Sequence, residues 1–131
     1  MTIRNLRYMF APKSVALVGD IQDAGGVGRV AAQNLVDGGF AGDIYFVNPD
    51  GHRVKGYPAF SKVGALPKAP DLALIASPPQ TVPAVLTELG MLGTRAAVVI
   101  SAGFRELEPS SVNALTSEMR TAAGAHLVRF I

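Results

Sequence analysis

Apolar residues in this chain come in short runs that alternate with stretches of helical spacing. Ser14-Val15-Ala16-Leu17-Val18 is one such run, ending at Gly19; Ile44–Val47, Asp71–Ser77, Arg95–Ser101 and His126–Ile131 have the same character. Runs this short and this uniformly apolar read as parallel strands buried on both faces. Between the first two, Val27, Val30, Ala31, Asn34 and Leu35 fall on one face of a helix closed by Asp37-Gly38-Gly39. Val82, Val85, Leu86 and Leu89 form a stripe along Thr81–Leu92, with Gly93 at its end, and Val112, Leu115, Met119 and Ala122 mark the inward face of a helix over Pro109–Gly124. Leu6–Pro12 predicts a short opening helix stopped before its proline. Gly56–Phe60 predicts a short extended piece, followed by a loop or single helical turn as far as Pro70.

Strands that alternate with helices predict a parallel sheet covered on both faces, and right-handed crossovers make it doubly wound. The expected fold is therefore α/β and Rossmann-like, with about five strands in the order 3-2-1-4-5. In such sheets ligands bind past the carboxyl ends of the strands. Here those ends are Gly19-Asp20, Val47-Asn48-Pro49, Ser77-Pro78-Pro79 and Ser101-Ala102-Gly103-Phe104. The chain stops on a strand, and from this we expect residues 1–131 to be one domain excised from a longer, multidomain protein.

Composition narrows the field. With 131 residues and 49% of them apolar, the chain is long enough to bury a core as a single domain. The absence of cysteine excludes disulfides, thiolate metal ligands and cysteine catalysis, and fits a cytoplasmic protein. Met1–Phe10 lacks the apolar core of a signal peptide, and no segment approaches the roughly 18 apolar residues of a membrane span. The formal charge is only +2, and the basic residues are scattered without aromatic interleaving, so neither a nucleic-acid nor a membrane partner is expected.

The candidate chemistry is that of binding. A strand, a glycine-bearing loop from Asp20 to Gly26 and a helix from Val27 together direct free backbone N–H groups and a positive helix end at a phosphate. Gly26-Val27-Gly28-Arg29-Val30-Ala31 matches G-x-G-x-x-A, but it begins seven residues past Gly19, so the loop is longer than that of an NAD-binding domain. The second strand also lacks an acidic residue at its tip, where Asn48-Pro49-Asp50 reads as a turn. His52 and His126 have no ligand spacing, with His52 expected in a turn and His126 at a strand start. No nucleophile elbow surrounds Ser14, Ser77 or Ser101, so no catalytic residues are assigned. Glu106 and Glu108 read as solvated carboxylates at a helix entry.

Six collinear pieces carry a family resemblance: PKSVALVG (Pro12–Gly19), GGVGRVAAQNLVDGGFAG (Gly25–Gly42), YFVNPDG (Tyr45–Gly51), GYPAF (Gly56–Phe60), LPKAPDLALIASPP (Leu66–Pro79) and AAVVISAGFRE (Ala96–Glu106). Together they resemble the N-terminal CoA-binding domain of NDP-forming acyl-CoA synthetases, relatives of the succinyl-CoA synthetase α subunit. The same domain opens some GNAT-type protein acetyltransferases. The resemblance implies CoA or acyl-CoA across the carboxyl edge. Its phosphates would lie near Gly19, Asp20 and the loop of Gly25, Gly26, Val27 and Gly28. Its nucleotide and pantetheine would run along Val47, Asn48, Pro49, Lys55, Ser77, Pro78, Pro79, Ser101, Gly103 and Glu106. It also implies that ATP or ADP is used by other domains, so this one binds without catalysing and has the remaining domains or a subunit as its partner.

Three positions depart from the pattern. Asp20 and Ile21 stand where the family has a small residue and Ser, and Asp50 stands where a Lys follows Asn-Pro. Two carboxylates beside a polyphosphate repel it, and Arg29, Arg53 and Lys55 are the cations expected to compensate. The alternative readings are a regulatory or interaction module with weakened CoA affinity, as when fused to an acetyltransferase, and an NAD-binding domain.

Overall fold

The computed structural model describes residues 6–22, 26–51, 53–54, 56–126 and 128–131. A short helix α1 (Leu6–Phe10) leads into strand β1 (Ser14–Val18), helix α2 (Val27–Asp37) and strand β2 (Asp43–Val47). A two-residue strand β3 (Ala59–Phe60) and a single helical turn (Val63–Ala65) precede β4 (Leu72–Ile75) and helix α3 (Val82–Leu92). Strand β5 (Ala96–Val99), a turn at Phe104–Glu106, helix α4 (Pro109–Ala125) and strand β6 (Arg129–Phe130) complete the fold.

Among the described residues six strands, all parallel, lie in the order β3-β2-β1-β4-β5-β6. The doubly wound arrangement is the expected one, with one strand more than the five anticipated. The additional strand is the extended piece before Phe60. The Phe46 N–H donates to the Pro58 carbonyl at 3.1 Å and the Asn48 N–H to the Phe60 carbonyl at 3.0 Å, which zips this piece onto the outside of β2. Counting it makes Ala59–Phe60 the third strand in the order and seats Leu72–Ile75 directly beside β1. Both edge strands are only two residues long, a form that offers little template for pairing with another chain.

The uniform apolarity of the central strands has the expected cause. Every residue of β1 is buried, with Ala16 and Leu17 completely so. On one sheet face Ala16, Tyr45, Ala73, Ile75 and Ala97 meet Val82, Leu86 and Leu89 of α3 and Met119 and Ala123 of α4. On the other, Leu17, Ile44 and Phe46 pack against Ala32 and the partly buried Ala31, Leu35 and Val36 of α2. The α3 stripe is thus the expected one. In α2 the inward face is rotated from the expected face: Val27 and Val30 are 40% and 52% exposed, whereas Gly28 and Ala32 are buried. Small residues win this face because the helix start lies too close to the sheet to admit a branched side chain.

His126 is not at a strand start. It caps the C-terminus of α4, and its side chain rests over Gly90 of α3, which has no side chain to obstruct it. His52 lies outside the described residues.

Candidate functional site

The carboxyl ends of β1, β2 and β4 converge. The Gly19 N–H donates to the Val47 carbonyl at 2.9 Å, and the Ala76 N–H to the Val18 carbonyl at 2.7 Å, so the three strands end at one level. Gly19 has a φ of +143°, and a Cβ there would lie 2.7 Å from the Ala76 carbonyl carbon. Only glycine lets the chain leave β1 this close to the end of β4. Gly28 plays the matching role from the helix: its α-carbon faces the Asp20 backbone carbonyl oxygen with no room for a methyl group. The two glycines press the β1–α2 turn against the sheet.

Above this convergence opens a cleft of about 430 Å³. Val18, Gly19 and Asp20 enter it from β1 and its exit, and Val47, Asn48, Pro49 and Asp50 from β2 and its exit. Ser77, Pro78 and Thr81 come from the turn after β4, and Val85 and Glu88 from α3. Ser61, Lys62 and Val63, on the segment after β3, close the remaining side. Its wall surface is mostly apolar, with polar groups set around it, and the position is that of ligand sites in open α/β sheets. Thr81 Oγ lies 2.8 Å from Ser77 Oγ and 2.6 Å from the Pro78 carbonyl, which fixes the Ser77–Thr81 turn. Asp20 Oδ1 accepts the Gln22 N–H at 2.8 Å, so this carboxylate is turned onto its own loop.

Of the residues singled out in the sequence, Gly19, Asp20, Val47, Asn48, Pro49, Ser77 and Pro78 are brought together in this cleft. Gly26 and Val27 open α2, with Gly26 at its N-cap, and Gly28 packs beneath the turn; none of the three lines the cleft. Pro79 is buried beneath Gly103, and Ser101 Oγ donates to the Ile75 carbonyl at 3.3 Å, a bond that ties β5 to β4. Glu106 is exposed in the helical turn after β5. Pro79, Ser101, Gly103 and Glu106 therefore form a separate group at the exit of β5, outside this cleft's lining. Gly25 and Lys55 lie outside the described residues.

Sequence reasoning missed Ser61, Lys62, Val63, Thr81, Val85 and Glu88. The α3 residues carry a signal in principle: Thr81, Val85 and Glu88 lie within two turns on one face beyond the β4 exit. The three residues after β3 carry none, because the pairing of β3 with β2 delivers them.

Lys68, raised by its hydrogen bond to Asp43 at 3.1 Å, sits by the opposite edge of the sheet, where β2 starts. Among the described residues no cluster of His, Asp or Glu is arranged to hold a metal ion. Nor is any described helix long and apolar enough to cross a membrane.

The sheet order, the crevice and the glycine-tightened turn define a nucleotide-binding type of α/β domain. Comparison with known proteins narrows this: the description of a CoA binding domain matches residues 13–131. The ADP-forming acetate–CoA ligase II of Archaeoglobus fulgidus is 38% identical over 105 residues, covering 80% of this chain and 16% of the ligase. The α subunit of the ADP-forming acetate–CoA ligase I of Pyrococcus furiosus is 36% identical over 107 residues, covering 79% of this chain and 23% of the subunit. Among solved structures, the apo dinucleotide-forming acetyl-coenzyme A synthetase 1 of Ca. Korarchaeum cryptofilum superposes with a TM-score of 0.85 at 31% identity, over 96% of this chain and 27% of that one. The chain belongs to the CoA binding domain family, in the branch found in NDP-forming acyl-CoA synthetases. It spans between about a seventh and a quarter of the length of the curated relatives it matches.

Proposed function

We propose that this domain holds CoA or acyl-CoA in the cleft at the ends of β1, β2 and β4, on behalf of an acid–thiol ligase of the NDP-forming type. The observation that carries this reading is the coincidence of family and site. A chain of the CoA binding domain family has its open crevice at the sheet position where such folds take nucleotides. Val18, Val47, Val63 and Val85 offer apolar walls to the flat faces of an adenine ring.

Catalysis belongs to other domains of the parent protein, which use ATP or ADP and pass the acyl group through an acyl phosphate. The chain is then one domain of that longer protein, working in the cytoplasm. Pro79, Ser101, Gly103 and Glu106 serve the pantetheine end, beyond the cleft, where the thiol is presented to those domains.

The test is a thermal-shift and calorimetric titration of the chain with CoA, acetyl-CoA, NAD and ATP side by side. A ligand bound only by the folded state adds about 2.7 kcal/mol at a hundredfold excess over its Kd. We expect a rise with CoA and acetyl-CoA that NAD does not reproduce. A folded chain that gives no heat with CoA at millimolar concentration overturns the proposal.

A further inference from the structure

The turn that borders the main cleft has a second side. The main cleft takes Gly19 and Asp20 from the β1–α2 turn and Asp50 from the β2–β3 connection. Ile21 and Gln22 from the first segment and Arg53 and Val54 from the second line a neighbouring pocket of about 350 Å³, to which α2 contributes the rest. Its floor is apolar and buried, with Ile21 and Ala32 only 5% and 3% exposed. Its rim holds two guanidinium groups, Arg29 and Arg53, and two carboxamides, Gln22 and Gln33. Among the described residues no carboxylate is in its lining.

The contrast in charge is what decides its use. Among the described residues the main cleft gathers three carboxylates, Asp20, Asp50 and Glu88, and one cation, Lys62. The main cleft is thus the poorer place for a second phosphate group, whereas the charged side chains among the described residues of the pocket around the same turn are both cations. Arginine is suited to phosphate because its planar fork donates two parallel hydrogen bonds to a pair of oxygens. Glutamine amides add uncharged donors.

Resting on the CoA reading, we propose that Arg29 and Arg53 hold the 3′-phosphate of CoA. The adenosine rounds the Asp20–Gln22 turn, so that its phosphate monoester lies in the arginine pocket while its pyrophosphate stays on the main-cleft side. The pocket thereby makes the domain selective for CoA over nucleotides without a 3′-phosphate.

Dephospho-CoA keeps the pyrophosphate and lacks the monoester, which makes it the discriminating probe. The full chain and its Arg29→Met, Arg53→Met and double variants are titrated with CoA and dephospho-CoA by calorimetry, with urea midpoints as the check on folding. Both arginines are exposed, so the variants are expected to fold, and Arg29→Lys with Arg53→Lys supplies a second pair that keeps the charge and removes the fork. The expected result is that the natural chain prefers CoA by about tenfold or more, as hydrogen bonds to a charged group imply. The double methionine variant should bind both ligands with the affinity the natural chain has for dephospho-CoA. An equal affinity for the two ligands in the natural chain, a preference that survives in the double variant, or an equal loss of both ligands in it overturns the inference and leaves the CoA reading standing. Binding of neither ligand overturns both.

Discussion

The α-carbon of Gly28, in the first turn of α2, faces the backbone carbonyl oxygen of Asp20 with no space for a side chain between them. Alanine at a helical position is ordinarily about 1 kcal/mol better than glycine. Here the sign reverses, because the obstructing atom belongs to the backbone and cannot rotate away. Gly28→Ala is expected to lower stability by about 1–3 kcal/mol, the usual cost of overpacking, and to lift the Asp20 turn from the sheet. Urea unfolding measures the first effect and CoA titration the second. A variant as stable as the natural chain, with unaltered affinity, contradicts the tight-turn description.

Asp20 and Asp50 border the same cleft and are expected to respond differently to neutralisation. The Asp20 carboxylate accepts the Gln22 N–H at 2.8 Å, so Asp20→Ala removes a turn-forming bond worth about 1 kcal/mol as well as a charge. Asp50→Asn keeps a side chain of the same shape and removes the negative charge from the cleft. At an effective dielectric near 20, charges several ångströms apart interact on a kcal/mol scale, so this change should tighten CoA binding about fivefold at low salt and less at high salt. Calorimetry at two ionic strengths checks it, and weaker binding would mean that Asp50 contacts the ligand favourably.

Thr94 is only 1% exposed, between α3 and β5, and its Oγ1 has no hydrogen-bond partner among the described residues. A buried hydroxyl without a partner costs about 1–3 kcal/mol of desolvation. Thr94→Val keeps the branched shape and removes the polar atom. Its urea midpoint should rise, by the equivalent of about 1 kcal/mol; a fall would show that the hydroxyl is satisfied in solution.

Along α3 the burial pattern predicts a sharp contrast. Leu86 is completely buried against the sheet, and Leu86→Ala should cost about 2–5 kcal/mol. Met91 on the same helix is 72% exposed, and Met91→Ala should stay within about 0.5 kcal/mol of the natural chain. Matched denaturation curves decide between this and a helix packed in another rotation.

Much of the molecule was legible in the chain because its signals are local. Val27–Asp37 appears with the anticipated bounds, and Val82, Leu86 and Leu89 are the inward stripe of α3, because burial repeats with the helical period. Gly19, Val47, Asn48, Ser77 and Pro78 were readable as cleft residues, since a parallel sheet sends all its carboxyl ends to one edge. The inward face of α2 was not readable. Val27 and Val30 are apolar and correctly spaced, but the distance from helix to sheet decides which face fits, and that distance is set by Gly28 against Asp20.

The alternation of apolar runs and helical stripes by itself determined the parallel, doubly wound sheet, because each run is too apolar to leave either face in water. It also determined that the strand exits share one edge of the sheet, where the cleft opens. Tertiary structure alone decided that β3 pairs outside β2 and brings Lys62 and Val63 to the cleft, and that Pro79 and Ser101 stand apart from it. It alone also brought Arg29 and Arg53, from α2 and the β2–β3 connection, to one pocket around the Asp20 turn. The physical reason is common to these cases. Periodicity records which side of an element meets the core, whereas proximity between residues of different elements depends on where the sheet's hydrogen bonds and close glycine contacts bring those elements to rest.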